Sequence, residues 1–498
     1  MKNKKTIWNI ISALTMQVVI FVTSFIVKKI IIKEYGSNLN GLISSITQFL
    51  SYIALLESGV GPVIKASLYK PISKHDEKEI NNILYASEKF FRKIAIIFLA
   101  YIIILSFVYP IFIGEQFSYW YTFSLIIIIS ISTFFEYYFG MTYKLYLQSD
   151  QKTYIVSLIQ IGGYILNLIL VLILVHFGSN IHILKLITSI SYIIRPILQN
   201  IIVKKMYNID LKKCDKNYKL KQKWDGLAQH IASVIHTNTD ITILTIFSTL
   251  GNVSIYSVYA TVTAGLRQVI QSFNDSIESF FGNMLALEKI EDLKNKFNIY
   301  ETIFYAILTI LYSCGLVLIT PFVKVFTLSI TDLNYSYPLF GYVLIVSEII
   351  WAIRQPYNNL IKSAGHFKQT RIGAWIEASV NIVVSIFLVK KYGLIGVAIG
   401  TTIAMIVRTT EFIIYSNKNI LKRSNLITIK KNLLMLVEFV IIFILSKYVI
   451  AVPFTSYINW IINALCVFVL SFVITAILNL IANKDLIKNI QILKKGKK

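Results

Sequence analysis

Cysteine is scarce in this sequence. The three present, Cys214, Cys314 and Cys466, are too scattered for a disulfide framework or a thiolate metal site. Charge is scarce as well: Asp, Glu, Lys and Arg make up 15% of the 498 residues against 56% hydrophobic ones, too little to cover a soluble domain. The histidines His176, His182, His230 and His236 show no metal-ligand spacing. No GxxxxGK[ST] signature occurs, which excludes a P-loop on this chain as the source of energy. No soluble catalytic domain stands out, and the expected outer connections are mostly under about fifteen residues. A glycosyltransferase or polymerase site has little room there, so the chain reads as a non-enzyme. The opening run to Lys5 and the apolar stretch Thr6–Ile32 lack a small-residue cleavage site, so this stretch reads as a retained first helix.

What the sequence has is long apolar runs. A run of about 20 such residues is enough for a helix to cross the hydrocarbon layer. Hydropathy predicts spans near 7–32, 40–62, 88–113, 118–141, 152–177, 181–205, 227–248, 252–285, 298–326, 336–361, 368–391, 393–416, 430–450 and 456–483. The fold class is therefore all-α integral membrane, with about fourteen transmembrane helices. The net charge of +24 would point to nucleic acid in a soluble protein. Here Lys and Arg gather in segments 65–93, 195–223, 418–431 and 484–498, all on one side of the expected topology. Basic residues stay cytoplasmic, which predicts both termini inside, with anionic lipid headgroups as the neighbours of that charge and no role for nucleic acid. Between the second and third spans, Ser73 followed by Asp76 and Glu77 reads as the start of a short surface helix.

The two halves resemble each other at an offset of about 214 residues. Tyr35-Gly36 matches Leu250-Gly251, and Gln148-Ser149 matches Lys362-Ser363. Glu136 falls near Glu348, Asn167 on Asn381, Gly178 near Gly393, and Arg195 near Arg408. Six spans separate equivalent positions, so both copies cross in the same direction. That predicts two six-helix lobes related by a pseudo-twofold along the membrane normal, with a substrate path between them and two helices outside the repeat. The domains follow: 1–210 as one lobe, 211–226 as a linker, 227–420 as the second lobe, and 421–498 as two final helices with a basic tail.

Polar residues line up on four spans. The eighth carries Tyr256, Thr263, Arg267, Gln271, Asn274 and Glu278 on one face, and the seventh carries Gln229, Ser233, His236 and Asp240. The first carries Gln17, Ser24 and Lys28; the second carries Ser44, Gln48, Ser51 and Ser58 with Glu57 beside them. Such faces either line a wet path or bond one helix to another, and for Ser44, Ser51 and Thr263 bonding is the simpler reading. Arg267 stands apart. A charge at mid-span costs about 2.5–3.5 kcal/mol on insertion scales, so it needs a partner or a water-filled cavity. It is either paired with Asp240 or Asp275, or it is a cationic lining for an anionic substrate. Lys28 and Lys29 fit snorkelling to the interface as well as substrate attraction. Glu57, Asp275 and Glu278 fit solvated helix ends as well as counter-charges.

Several motifs carry a family resemblance. Leu14-Thr15-Met16-Gln17-Val18-Val19, Asn40-Gly41-Leu42, Leu56-Glu57-Ser58-Gly59-Val60-Gly61-Pro62 and Ser67-Leu68-Tyr69-Lys70-Pro71 come first. Asn238-Thr239-Asp240, Val253-Ser254-Ile255-Tyr256-Ser257, Ser363-Ala364-Gly365-His366-Phe367-Lys368-Gln369-Thr370 and Gly393-Leu394-Ile395-Gly396-Val397-Ala398-Ile399-Gly400-Thr401 follow in order. Together they resemble Wzx-type oligosaccharide flippases (O-antigen and capsule repeat-unit flippases) of the multidrug/oligosaccharidyl-lipid/polysaccharide (MOP, MATE-like) exporter superfamily, over nearly the whole chain to about residue 420. The second helix lacks the basic residue of the lipid II flippase branch. The first helix lacks the acidic residue that cation-coupled drug exporters often use.

The resemblance implies two six-helix lobes plus two added helices, with a cavity lined by the first, second, seventh and eighth helices. It implies a protein of the bacterial plasma membrane that flips undecaprenyl-pyrophosphate-linked oligosaccharide by alternating access, beside polysaccharide polymerase and glycosyltransferases. Arg267 and Lys28 would hold the pyrophosphate, and Gln17, Ser24, Gln48, Thr263, Gln271 and Asn274 would meet sugars. Asp240, Glu57, Asp275 and Glu278 would supply counter-charge or coupling. No cofactor is expected beyond a coupling Na+ or H+. The rival reading is a cation-coupled exporter of small amphipathic compounds.

Overall fold

A lipid interior offers no water to backbone amides, so each apolar run must close its own hydrogen bonds as a helix. The computed structural model follows that rule, with no strand among the described residues. It describes residues 2–57, 59–207, 209–211, 214–218, 227–286, 290–366 and 368–482. Packing divides the chain into two compact units, Met1–Ser254 and Ile255–Lys498.

The first unit holds α1 (Lys2–Tyr35), α2 (Ser37–Ser51), α3 (Ala54–Glu57), α4 (Val60–Lys74), α5 (Glu77–Ile113), α6 (Tyr119–Phe135), α7 (Met141–Ser149), α8 (Thr153–His176), α9 (Ile181–Met206), α10 (Leu227–Phe247) and the first turn of α11 (Leu250–Ala286). Within it α1 packs on α8, α5 on α6, and α9 on both α6 and α8. The repeat assigns α10 to the second half of the chain, yet its contacts with α2, α3 and α5 join it to the first unit. The second unit adds α12 (Ile290–Phe326), α13 (Pro338–Ile353), α14 (Gln355–Ser363), α15 (Arg371–Asn419), α16 (Asn425–Val449) and α17 (Tyr457–Ala482). There α12 packs on α13, α16 and α17, and α13 packs on α15.

Eleven helical stretches among the described residues are long and apolar enough to cross a membrane. α10 and α11, with the densest polar stripes, are not among them, and α15 counts as one. At 49 residues α15 exceeds what any bilayer needs. Gly393 divides it: its φ of 54° and ψ of −128° leave the helical region, where a β-carbon would strain the chain. This break coincides with the boundary expected between the eleventh and twelfth spans.

The second span is not continuous. α2 stops at Ser51, α3 forms one turn, and α4 carries on to Lys74. α2 also approaches α11 very closely, since a β-carbon on Gly41 would stand 1.9 Å from the Leu250 carbonyl oxygen. Nothing larger than glycine fits there without moving backbone. The short surface helix expected to start at Ser73 is absent. Asp76 caps α5 instead, accepting from the Glu79 amide at 3.0 Å, and α5 runs unbroken to Ile113. Ser73 lies in the last turn of α4 and donates to the Lys70 carbonyl. The fourth span joins α6 to α7 through a π turn at Glu136–Gly140, and the tenth bends at Arg354 between α13 and α14.

After α9 the chain folds back on the first unit. The Tyr207 hydroxyl donates to Asp150, the Asp215 amide to Asn82 at 2.8 Å, and the Tyr218 hydroxyl to Glu79 at 2.8 Å. Burial, then the bond to Glu79, pushes the Tyr218 phenol up to about 12.

Candidate functional site

Helical spacing brings the polar residues of α2 onto the face that meets α10. Ser45 and Thr245 share a hydrogen bond of 2.6 Å, and Tyr109 donates to Ser45 at 2.6 Å. Further along, the Gln48 amide donates to the Asn238 side-chain oxygen, which also accepts from Ser51 at 3.1 Å. Tyr52 bonds Thr242 at 2.9 Å, and Asn40 donates to Ser254 at 2.7 Å. These bonds form a ladder of interhelical contacts, each worth about 1 kcal/mol or less in a membrane. Gln48, expected to meet sugar, spends its amide nitrogen inside this seam, and Ser45 rather than Ser44 joins it. Replacing Asn238 with alanine removes an acceptor shared by Gln48 and Ser51. It lowers stability by about 1 kcal/mol, readable as a small fall in the melting temperature of the detergent-solubilised protein.

The other expected site residues fall into distinct settings. Gln17 and Ser24 are half-buried on α1 and make no hydrogen bond among the described residues, while Lys28 is half-buried on the same helix. Glu57 accepts from the Tyr137 hydroxyl at 2.9 Å. Asp240 is buried on α10, within electrostatic reach of Tyr52. On α11, Thr263 is buried and donates to the Ala260 carbonyl at 3.2 Å. Asn274 is also buried: its nitrogen donates to Asn359 at 3.0 Å and its oxygen accepts from Tyr300 at 3.2 Å. Thr263 and Asn274 are thus spent on packing rather than open to a sugar. Gln271 stays half-buried. The side chains of Asp275 and Glu278, like those of Gln229, Ser233 and His236, lie outside the described residues.

Arg267 is paired with an acid that its own helix does not carry, Glu348. Its Nε donates to Glu348 Oε2 at 2.9 Å and its Nη2 to Oε1 at 2.5 Å, a two-pronged bond from α11 to α13. Trp351, one turn beyond Glu348, covers the guanidinium at 4.7 Å from its ring. The charge is therefore supported midway along α11 by a carboxylate and an aromatic face. The two partners are unequally placed: the Glu348 side chain is 6% exposed and that of Arg267 is 32%. A guanidinium has five N–H donors, and Nη1 makes no bond among the described residues. This is the arrangement with chemistry to offer, an anchored cation with one donor edge unspent. The repeat comparison had singled out Glu348, and an acid within a predicted span was a further signal. Its partner was not legible, because the pair joins helices 81 residues apart in sequence.

Two further ionic clusters sit in the second unit. Arg408 bonds Glu411 at 2.5 Å and the Thr370 carbonyl at 2.8 Å, and Glu377 accepts from Arg354 at 2.6 Å. Glu301, fully buried on α12, meets Arg423 at 2.9 Å and Lys431 at 2.7 Å. The first ties the interior of α15 to the bend at Arg354, the second ties α12 to α16 and the turn before it, and both read as structural. No group of three or more metal-ligating side chains occurs among the described residues.

No family model matches this sequence, and no curated protein matches it. Solved structures do. The lipid II flippase MurJ in an inward closed conformation superposes with a TM-score of 0.71 at 16% identity, over 97% of this chain and 100% of MurJ. An inward-facing multidrug resistance MATE transporter of the MOP superfamily gives 0.65 at 13% identity, over 82% of this chain and 98% of its own. A MOP superfamily transporter from Pyrococcus furiosus gives 0.60 at 14% identity, over 84% and 96%. The chain has the fold of these membrane transporters.

Proposed function

We propose that this chain is a flippase that carries undecaprenyl-pyrophosphate-linked oligosaccharide repeat units across the bacterial plasma membrane for surface polysaccharide synthesis. The observation that carries the reading is Arg267, a cation midway along α11 with an unspent donor edge and a third of its side chain exposed. A phosphate oxygen on that edge gains a charge-assisted hydrogen bond, about twice as strong as a neutral one. Lys28 is the second cation of the reading, and Gln17, Ser24 and Gln271 are the residues it assigns to sugars. The length of the likeness adds support, since the lipid II flippase spans 97% of this chain and the MATE transporter 82%. The polyprenyl tail would stay in the bilayer while two lobes rock about the repeat axis. Asp240 and Glu57 are the carboxylates for Na+ or H+ coupling.

The MATE likeness supports the second reading, a cation-coupled exporter of small amphipathic compounds. Removing the chain from cells separates the two. The flippase reading expects surface polysaccharide to disappear and its lipid-linked units to accumulate inside, with drug resistance unchanged. A drop in resistance with intact polysaccharide favours the exporter.

A further inference from the structure

We infer that Glu348 is an internal counter-anion that the substrate phosphate must displace from Arg267, and that Tyr312 receives the displaced carboxylate. The inference rests on the reading of Arg267 as the anion site. Glu348 holds the Nε and Nη2 donors of the guanidinium at 2.9 and 2.5 Å, the fork that a phosphate first seated on the Nη1 edge takes over when it binds fully. The carboxylate lies behind and the arginine in front, as their exposures of 6% and 32% require. A phosphate arriving at the intact pair meets a cation whose charge is already cancelled. Two anions sharing one guanidinium would leave a surplus negative charge in a low-dielectric setting, so full binding requires the carboxylate to let go.

A released carboxylate needs a donor. Tyr312 on α12 has one: its hydroxyl is buried and makes no hydrogen bond among the described residues. It lies within electrostatic reach of both Glu348 and Arg267. An unbonded O–H beside an ion pair costs stability in the ligand-free state. That cost has a purpose if the hydroxyl is the second seat of Glu348. α13 thereby holds a carboxylate with two seats, on Arg267 when the site is empty and on Tyr312 when it is filled.

The test is binding of radiolabelled inorganic pyrophosphate to the purified full-length protein in nanodiscs. Glu348→Gln removes the competitor and tightens binding about tenfold, the change expected for loss of one charge-assisted competitor. Tyr312→Phe removes the second seat and weakens binding about threefold, and combining it with Glu348→Gln erases that effect because no carboxylate remains to be housed. Should Glu348→Gln fail to insert, Tyr312→Phe decides alone, and unchanged binding there overturns the exchange. Equal or weaker binding by Glu348→Gln, with binding abolished in Arg267→Ala, makes the pair structural and leaves the Arg267 site standing. No binding by the wild-type protein or by Glu348→Gln overturns the site and the exchange together.

Discussion

Arg267→Ala abolishes export of surface polysaccharide while the protein remains inserted in the membrane. The substitution removes the guanidinium that the proposed substrate pyrophosphate would meet, and a hydrogen bond to a charged group is worth about 1.5–3 kcal/mol, or about ten- to a hundredfold in affinity. It also strands Glu348, whose side chain is 6% exposed, without its cation. The double variant Arg267→Ala, Glu348→Gln separates the two effects. It relieves the stranded charge and restores stability, and export stays lost. Recovery of export in the double variant shows that Arg267 only balances Glu348. Cell-surface polysaccharide staining alongside membrane abundance reads both quantities.

The largest expected loss of stability lies at Glu301. Its carboxylate is fully buried and faces two cations, Arg423 at 2.9 Å and Lys431 at 2.7 Å, while Tyr357 donates its hydroxyl to the same group. Through these bonds α12 holds the turn between α15 and α16, and α14 through Tyr357. Glu301→Gln keeps the shape but leaves two positive charges with no anion, and breaking a buried pair in this way costs about 3–5 kcal/mol. The outcome is a large fall in melting temperature in detergent and low abundance in cells. Per molecule inserted, transport is unchanged. Lost activity in a variant of normal stability would place Glu301 in the transport path instead.

Helices were legible in the sequence where hydropathy alone decides. The expected spans 152–177 and 181–205 correspond closely to α8 and α9. Hydropathy is blind where a helix leaves the apolar layer. α5 starts at Glu77 rather than near 88 and α12 at Ile290 rather than near 298, because their polar first turns carry no apolar signal. The broken second span was equally hidden, since Tyr52 and Ile53 are as apolar as the turns on either side.

The site was half legible. A lone arginine within a predicted span stands out by its cost, and its ion pair with Glu348 makes it the centre of the candidate site. Gln48, Thr263 and Asn274 share the same polar stripes, yet they bond Asn238, the Ala260 carbonyl and Asn359. Periodicity tells which face of a helix a residue occupies and is silent on whether that face meets water or another helix. The partner of Arg267 was hidden for a related reason: an ion pair between helices depends on their rotation about their own axes, which no linear spacing encodes.

The most direct measurement reconstitutes the purified chain in sealed liposomes with a fluorescent undecaprenyl-pyrophosphate oligosaccharide in both leaflets. Probe in the outer leaflet is then destroyed by a reagent that cannot enter. A flippase lets the reagent consume nearly all of the probe, and the Arg267→Ala protein protects the inner half as empty liposomes do. Protection of the inner half by the wild-type protein contradicts the account.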